Sequence, residues 1–352
     1  MAEEKKEIQS RLIENKGKTK KEELTDILKI ISPGTFFRSA IEGIQKAKNG
    51  AIIVAYNETI QNLFEGGFKL NTRATAQRII ELSKMDGAII LSKDLKKILY
   101  ANVLLTPNNS IPSDETGTRH KAAERIAKQA NTIVLTVSQR RGEIALFYKS
   151  LKYVIKDTSD IIRRATETLQ ILEKHREVFE RNRKELDEEE IKKRPKLIQA
   201  LLLIQRGVMI MKISGILKEH IIELGIEGLI VKSRFKELLH KVEKESDNVI
   251  KDYSRLGLSK TKRIISILSY DELLDLENIR ECLGLSTNSE IANPKGYRLL
   301  EKAGIFEKDA GTLIKNFKNL ASILELKRED LIPFFEEEKV NEIFEKISHI
   351  KD

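Results

Sequence analysis

The stretch AIIVAY, residues 51–56, decides the fold class of the first part of the chain. It is a continuous apolar run rich in β-branched side chains, a pattern typical of a strand buried on both faces of a sheet. The same pattern recurs at residues 87–92 (GAIILS), 98–104 and 132–137 (TIVLTV). These four runs indicate an α/β domain whose central sheet is mainly buried.

Helical spacing of apolar residues predicts helices over 72–84 and 118–129, and beyond Asp157 the strand pattern stops. Apolar residues then recur at three- and four-residue steps, as on one face of an amphipathic helix. The turn sequence 293–296 (NPKG) interrupts that pattern and marks a boundary. We expect a multidomain α/β plus all-α protein with these parts: a charged arm at 1–20, the α/β domain at 21–156, a helical middle domain at 157–290 and a small helical domain at 291–352.

Length and composition agree with several domains in the cytoplasm. A chain of 352 residues exceeds the usual size of a single core. The net charge of +9 favours a polyanionic partner such as nucleotide or nucleic acid. One cysteine, Cys282, excludes an intrachain disulfide framework, and residues 1–20 lack the apolar core of a signal peptide. We therefore expect a cytoplasmic protein.

Two conspicuous stretches receive structural interpretations. Residues 197–217 are the most apolar part of the chain, but they contain Arg206 and Lys212, which a bilayer centre would penalise by roughly 3 kcal/mol each. We predict a buried helix and no membrane span. The charge run 184–193 is interpreted as a solvated helix face or loop without a function.

Common catalytic signatures are missing from the sequence. Residues 17–19 (GKT) imitate the end of a P-loop, but the upstream glycine and the preceding strand are absent. No HExxH, CxxC or EF-hand spacing occurs, and His175, His220, His240 and His349 lie singly in helical stretches. We expect these four histidines to be ordinary core or surface residues.

Three short segments at the ends of predicted strands remain as candidates. The first is Asp86-Gly87-Ala88, in which a carboxylate could bind a divalent metal or accept a proton, and the glycine lets a nucleotide approach the backbone. An ordinary Asp-Gly turn explains the same residues and, on sequence alone, explains them better.

The second segment is 115–120 (ETGTRH), which opens the helix predicted from 118. Thr118 is a good N-cap, and free amides at a helix start together with Gly117, Arg119 and His120 make a corner suited to phosphate. An ordinary cap with two solvated basic side chains is the alternative.

The third segment is 138–142 (SQRRG), for which a charged β-hairpin turn is the simplest explanation. Taken together, however, the three segments supply a metal carboxylate, a phosphate corner and further guanidinium groups. That set suits phosphoryl or nucleotidyl transfer, in which catalysis consists largely of positioning and charge neutralisation.

At these residues the sequence resembles a known family. Asp86-Gly87-Ala88 and Gly117-Thr118-Arg119-His120, about thirty residues apart, are similar to the paired motifs of the diadenylate cyclase domain. From residue 24 to the C-terminus the chain resembles the DNA integrity scanning family. The matching stretches outside the cyclase motifs are 31–35 (ISPGT), 223–225 (ELG), 252–254 (DYS) and 295–300 (KGYRLL).

The resemblance implies an enzyme that joins two ATP into cyclic di-AMP and releases two pyrophosphates, with facing subunits each holding one ATP. It implies that Asp86 binds Mg or Mn and helps to deprotonate the attacking hydroxyl. The residues implied to bind ATP are Gly87, Ala88, Leu105, Gly117, Thr118, Arg119, His120, Ser138 and Arg141, with Leu105 bordering adenine. It also implies a homo-octamer.

In the family, the C-terminal region carries helix-hairpin-helix units that bind branched DNA through glycine-containing turns. Here residues 331–338 (LIPFFEEE) stand where the second turn belongs, without glycine and with three acids. Residues 291–352 contain eleven Lys or Arg and twelve Asp or Glu, a net charge of −1. DNA contact is therefore expected mainly from the first unit, at Lys315 and Lys318.

Two other readings compete with a cyclase. One is a DNA-binding scaffold whose nucleotide domain only senses ATP; it would not need the metal carboxylate of Asp86. The other is an unrelated nucleotidyltransferase, which is disfavoured because the Asp-x-Asp pair of a two-metal site is missing.

Overall fold

The structure is a computed structural model that describes residues 20–285 and 293–351. All but the last residue of the predicted arm at 1–20 lies outside the described residues. The described residues form two compact units: residues up to Arg164 together with Glu219–Ile230, and Ala165–Lys218 together with the residues from Val231 onward. The division into three domains at 156 and 290 stays a prediction.

The first unit is built on one mixed eight-stranded sheet. The strands are β1 Ala51–Ala55, β2 Phe64–Glu65, β3 Phe68–Arg73, β4 Ala88–Leu91, β5 Lys97–Leu105, β6 Ile133–Val137, β7 Ile144–Tyr148 and β8 Leu151–Ile155. Their order in the sheet is β2-β5-β4-β1-β6-β7-β8, and β3 also pairs with β5. The pair β1–β4 is parallel, and all the other pairs are antiparallel.

Helices cover both faces of this sheet. They are α1 Lys20–Ile31, α2 Phe36–Lys46, α3 Ala76–Leu82 and α4 Thr118–Ala130, and a short 3₁₀ helix spans Glu58–Asn62. Along β1, Ile53 joins the core that packs under α1, α2 and α3, whereas Ile52 and Val54 join the core under α4. This alternation explains why β1 is apolar at every position, since side chains of a strand point to opposite faces in turn.

The four predicted strands are confirmed as β1, β4, β5 and β6, and the helix predicted from residue 118 is confirmed as α4. The helix predicted over 72–84 is wrong at its start. Thr72 and Arg73 belong to β3 and pair with Ile98 and Lys97 of β5. The helix begins only at Ala76, because the Thr75 side chain caps it by accepting a hydrogen bond from the amide of Arg78.

The described residues after β8 are mainly helical. The helices are α5 Thr158–Ile191, α6 Leu197–Leu224, α7 Leu229–Leu239, α8 Val242–Tyr253, α9 Leu258–Ile267, α10 Leu276–Cys282, α11 Tyr297–Lys302, α12 Glu307–Phe317, α13 Leu320–Leu324, α14 Arg328–Leu331 and α15 Glu337–Lys351, and two 3₁₀ helices span Gly225–Gly228 and Glu272–Leu274. Helices α11 to α15 enclose a core of their own, formed by residues such as Leu300, Leu313 and Ile347.

The stretch Leu197–Tyr253 contains a window long and apolar enough to cross a membrane by length and composition. Of that window, 61% is buried inside the protein, as in the core helix of a globular protein. This agrees with the prediction of a buried helix at 197–217.

The interpretation of the charge run 184–193 as a solvated face is wrong for two of its residues. Asp187 is 6% exposed and Glu190 is 1% exposed. Both carboxylates pair with the guanidinium of Arg298, which is itself buried at the start of α11 and also reaches Glu245 at 3.2 Å. A charge run marks a solvated face only when no buried partner of opposite charge reaches it.

Two of the stretches that carry the family resemblance meet beside this cluster. The fully buried carboxylate of Asp252, in α8, accepts hydrogen bonds from the amides of Gly296 and Tyr297 at 2.8 and 2.6 Å and from that of Arg298 at 3.1 Å. A carboxylate at this position satisfies the free amides at the start of α11. The stretches 252–254 and 295–300 therefore form one joint between helices.

Candidate active site

The three candidate segments converge on one edge of the sheet. Because β1 and β4 are parallel, the residues that precede them, Gly50 and Gly87, lie at the same edge. The antiparallel strands β5 and β6 end at that edge, which brings Leu105 and Ser138 there. From β4 across β1 to β6 the edge spans about 10 Å, two strand spacings. The parallel pair contributes its N-terminal ends, whereas open α/β sheets usually bind ligands at the carboxyl ends of their strands.

Asp86 and Gly87 form an exposed turn between α3 and β4. Among the described residues, none makes a hydrogen bond or an ion pair with the Asp86 carboxylate. Gly87 has φ +88°, and a Cβ there would lie 2.8 Å from both the carbonyl carbon of Asn102 and the carbonyl oxygen of Val103. The Asp-Gly turn is thus real, and it presents an unpaired carboxylate. Ala88, the next residue, is buried at the start of β4.

The start of α4 differs from the expected cap. Gly117 is the N-cap, with extended backbone at φ −85° and ψ 140°, and its carbonyl accepts from the amide of Lys121 at 2.8 Å. Thr118 is already the first helical residue, so its prediction as the N-cap is wrong. Since glycine has no side chain to accept a hydrogen bond, the first-turn amides of α4 lack a capping oxygen at the positive end of the helix dipole. They are suited to an anion.

Arg119 extends from this first turn towards the start of β1. A Cβ built on Gly50 would lie 1.9 Å from Nη1 and 2.9 Å from Cζ of Arg119, so the guanidinium rests on the backbone of that glycine. Arg119 is half-buried, and no described residue pairs with its guanidinium. Because its guanidinium has no partner in the protein, Arg119 is available to bind an anionic ligand.

His120 is half-buried beside Phe147, with ring centroids 6.5 Å apart in an edge-on arrangement. Burial lowers the pKa of the His120 imidazole below its ordinary value; the nearby carboxylates of Glu115 and Glu143 oppose this shift, and the cations of Lys152 and Arg119 reinforce it. The imidazole is therefore neutral at pH 7 without a ligand.

The third segment is a β-hairpin between β6 and β7, which confirms the simpler explanation of its fold. The Ser138 amide donates to the carbonyl of Glu143 at 2.8 Å, and the Ser138 hydroxyl accepts from the amide of Arg141 at 3.3 Å. The side chain of Arg141 is exposed. In α2, the Gln45 Nε2 donates to the Gly142 carbonyl at 2.6 Å and ties the hairpin down.

Leu105 ends β5, half-buried, where it pairs with Phe64 of β2. Its neighbour Leu104 is 65% exposed. The edge therefore has an apolar surface beside the carboxylate of Asp86, as a purine base would require.

Among the described residues, no three His, Cys, Asp or Glu side chains are grouped as a metal site. The residues at this edge could hold Mg or Mn only through Asp86 together with oxygens of a bound phosphate. That donor set fits Mg²⁺, which usually keeps one or two carboxylates and completes its shell with substrate phosphates and water.

The two predicted DNA-binding lysines lie near the end of α12. Lys315 is in its last turn, and Lys318 follows the helix with φ +70°; both are exposed. The acidic stretch 331–338 spans the turn between α14 and α15. Nearby, Lys346 Nζ donates to the carbonyl of Gly304 at 2.9 Å, in the turn between α11 and α12.

Sequence reasoning missed two residues of the edge. Gly50 and Gln45 belong to no motif, and each acts through a residue far along the chain, Arg119 and Gly142 respectively. The only local signal was a glycine directly before a buried strand, which is an ordinary place for a turn.

Two family matches cover most of the described chain. Residues 38–151 match the family described as the DisA bacterial checkpoint controller nucleotide-binding domain, and residues 155–292 match the linker region of the same protein. Fold, sheet edge and matches together define a nucleotide-binding domain of the diadenylate cyclase class.

Complete proteins of the same kind are similar to this chain over most of its length. It is 40% identical over 321 residues to the DNA integrity scanning protein DisA of Acetivibrio thermocellus, covering 89% of each chain. The corresponding protein of Clostridium kluyveri is 40% identical over 319 residues, covering 89% of this chain and 90% of that one. The chain belongs to the family of DNA integrity scanning proteins. This membership confirms the predicted activity, a diadenylate cyclase.

Solved structures align with part of the chain. A double-cysteine variant of DacA from Staphylococcus aureus is 26% identical with a TM-score of 0.30, covering 40% of this chain and 91% of that one. A hypothetical membrane spanning protein from Bacillus cereus is 22% identical with a TM-score of 0.32, covering 44% of this chain and 89% of that one.

Proposed function

We propose that the sheet edge formed by Gly50, Gly87, Leu105 and Ser138 binds ATP, and that two such edges from facing subunits join two ATP molecules into cyclic di-AMP. One observation carries this proposal: an unpaired carboxylate, an unpaired guanidinium and the uncapped start of α4 lie on one edge, of which the part from β4 to β6 is about 10 Å wide. The reaction of ATP requires these groups within one site, because the phosphates need cations and amide donors whereas the 3′-hydroxyl needs a proton acceptor.

The triphosphate would lie across the start of α4. The first-turn amides and the hydroxyl of Thr118 would donate to phosphate oxygens, and Arg119 would neutralise their charge. Ser138 and Arg141 would contribute from the hairpin. His120, neutral in the free protein, would act first as a hydrogen-bond donor rather than as a cation.

The nucleoside would lie over β4 and β5. Gly87, Ala88 and Gly117 offer backbone without bulky side chains, which allows close approach of the ribose and the α-phosphate. Leu105 would border adenine on the apolar part of the edge.

In the reaction, the 3′-hydroxyl oxygen of one ATP forms a bond to the α-phosphorus of the other. The bond between that phosphorus and the oxygen that bridges the α- and β-phosphates breaks, and pyrophosphate leaves with the electron pair of this bond. Asp86 would accept the hydroxyl proton, directly or through water, and would also bind Mg or Mn. A bound divalent ion would supply charge neutralisation at the α-phosphate. Repeating the step with the roles exchanged closes the ring.

The exposure of the edge supports a site shared between subunits. Asp86, Gly87, Gly117 and Thr118 are all exposed, so one subunit leaves the reacting groups open to solvent. A facing copy would exclude water and bring the second ATP to the first. We place this assembly in the cytoplasm as a homo-octamer, a size that rests on the family resemblance.

We further propose that the C-terminal helices bind branched DNA and so couple the cyclase to the state of the genome. The exposed Lys315 and Lys318 support a phosphate contact at the first hairpin unit, and the acids of the turn 331–338 oppose one at the second.

The Asp86→Asn variant tests the catalytic assignment. We expect cyclic di-AMP formation, measured by mass analysis with ATP and Mn, to fall by about 10²-fold or more, because the variant loses its proton acceptor. ATP binding should persist, since the phosphate contacts remain. Asp94→Asn is a matched control, because Asp94 lies beyond the other end of β4. Full activity in Asp86→Asn would refute the role of this carboxylate.

Subunit mixing extends the same test. Asp86→Asn subunits exchanged into wild-type oligomers should lower activity more than dilution explains, because each inactive edge also disables the edge that faces it. A strictly linear loss, with exchange verified, would argue against a site shared between subunits.

A further inference from the structure

Gly50 lies between α2 and β1, outside every motif that the cyclase family contributes. A methyl group at this position would meet Nη1 of Arg119 at 1.9 Å and Cζ at 2.9 Å, far inside contact distance. It would meet Cβ of Gln139 at 3.3 Å, which a shift of a few tenths of an ångström relieves. The conflict therefore concerns the guanidinium.

The backbone does not demand glycine here. The φ angle of Gly50 lies outside the left-handed region that L side chains avoid, in contrast to Gly87 at +88°. The φ angle at position 50 therefore does not by itself require glycine. The close approach of Arg119 is thus the feature of the structure that excludes a side chain at position 50.

Arg119 depends on this contact for its position. No described residue holds its guanidinium by a hydrogen bond or an ion pair, and an arginine side chain has several freely rotating bonds. Packing on bare backbone at Gly50 restricts it instead. Such restriction before binding lowers the entropy lost when a ligand is bound.

We propose that Gly50 is a positioning residue for ATP binding: its missing side chain forms the shelf that holds the Arg119 guanidinium towards the triphosphate. This rests on the proposed phosphate role of Arg119. A side chain at position 50 would displace the guanidinium, the far end of a flexible side chain, and would leave the sheet intact.

The test measures binding of 3′-deoxy-ATP by calorimetry in full-length protein. This nucleotide lacks the attacking hydroxyl, so binding is read without turnover. Gly50→Ala should weaken binding about tenfold or more, the effect of losing a hydrogen bond to a charged group. Its Tm should not fall below that of the wild-type protein, because the added methyl group displaces only the far end of a flexible side chain.

A double-mutant cycle separates this proposal from the proposed function. If Gly50 acts through Arg119, Gly50→Ala should have no further effect on affinity in the Arg119→Ala background. In the Arg119→Lys background its effect should be smaller than in the wild type, because lysine reaches only to about the position of the guanidinium carbon and lacks Nη1, the atom nearest the added methyl group.

Each outcome decides the matter. If Arg119→Ala weakens binding but Gly50→Ala does not, or if the two effects add, the positioning role is overturned and the phosphate role stands. If Arg119→Ala leaves affinity unchanged, the phosphate role and the positioning role both fail, whatever Gly50→Ala does. A lower Tm in Gly50→Ala with unaltered affinity would identify Gly50 as a packing residue only.

Discussion

Arg119 is the residue whose environment says most about the site. Two carboxylates of the same region have partners: Glu115 pairs with Lys152 at 2.5 Å, and Glu124 pairs with Lys128 at 2.7 Å. A half-buried guanidinium without a partner loses part of its hydration and receives no compensating contact. A bound phosphate would supply that contact, which is why an unpaired Arg119 indicates ligand binding more strongly than an exposed lysine would.

At the same scale, His120 should give the proposed ATP site a pH dependence. Burial lowers its pKa in the free protein, and a bound triphosphate would raise it. At pH values between the pKa of His120 in the free protein and its pKa in the complex, ATP binding takes up a proton. The affinity for ATP should therefore increase as the pH falls through this window, and this gain should be lost as the pH rises. Each unit by which the phosphates raise the pKa adds about tenfold to affinity at the acidic end.

Calorimetry of 3′-deoxy-ATP in buffers of different ionisation enthalpy measures this proton uptake. His120→Asn should bind with less proton uptake within this pH window, and the comparison cancels the titration of the γ-phosphate itself, which both proteins share. Identical uptake in the two proteins would show that His120 does not contact the phosphates.

Among the elements, α5, α8 and α11 are joined by buried charge. Burial acts to raise the pKa of Asp187, but Arg298 and Lys302 outweigh it and hold the pKa below its ordinary value. Burial raises the pKa of Glu190 even beside Arg298. Buried ion pairs add little net stability when complete, yet leaving one partner alone is costly. This joint therefore specifies how the helices meet rather than how strongly.

Arg298→Ala tests the joint. It should lower the free energy of unfolding of the helical unit by about 3–5 kcal/mol, because Glu190 remains buried without a cation and Asp187 keeps only Lys302 and Arg183 as partners. In the variant the pKa values of both carboxyls rise, so the folded state binds more protons than the unfolded state. The free energy of unfolding therefore falls as the pH rises. The deficit should accordingly be larger at pH 8 than at pH 5.5.

Denaturant unfolding followed by circular dichroism at both pH values measures this effect. Arg234→Ala is the matched control, since Arg234 also pairs with two carboxylates, Glu173 and Glu237, but at the surface. A loss in Arg298→Ala no greater than in the control, or one independent of pH, would contradict the joint.

At the scale of the whole molecule, the excess of positive charge lies outside residues 291–352, the part proposed to bind DNA. The chain carries +9, whereas residues 291–352 carry a net −1. Affinity for DNA depends on the number of phosphates neutralised, so one such domain offers few contacts. An oligomer would combine weak sites by raising their effective concentration.

Lys315→Glu combined with Lys318→Glu should therefore abolish binding of branched DNA by the full-length protein. Where residual binding is measurable, the salt slope should fall by about one per lost phosphate contact. Basal cyclic di-AMP formation should not change, because both lysines belong to the other compact unit. Fluorescence anisotropy across a salt series measures the affinity.

Lys232→Glu with Lys260→Glu is the charge-matched control, since both lysines are exposed and lie outside residues 291–352. An equal loss of DNA binding in the control would mean that the overall charge of the protein, rather than the first helix-hairpin-helix unit, determines the affinity for DNA.

The sequence by itself determined the buried strands, the helical remainder and the three candidate segments, because apolar runs, periodicity and turn chemistry are local properties. It could not determine that β1 and β4 pair in parallel, and hence that all three segments reach one edge. Nor could it determine contacts between distant residues. Gln45 and Gly142 are 97 positions apart, and Asp187 and Arg298 are 111 apart. A charge looks the same in the sequence whether water or a buried partner faces it, and only the folded chain brings that partner near.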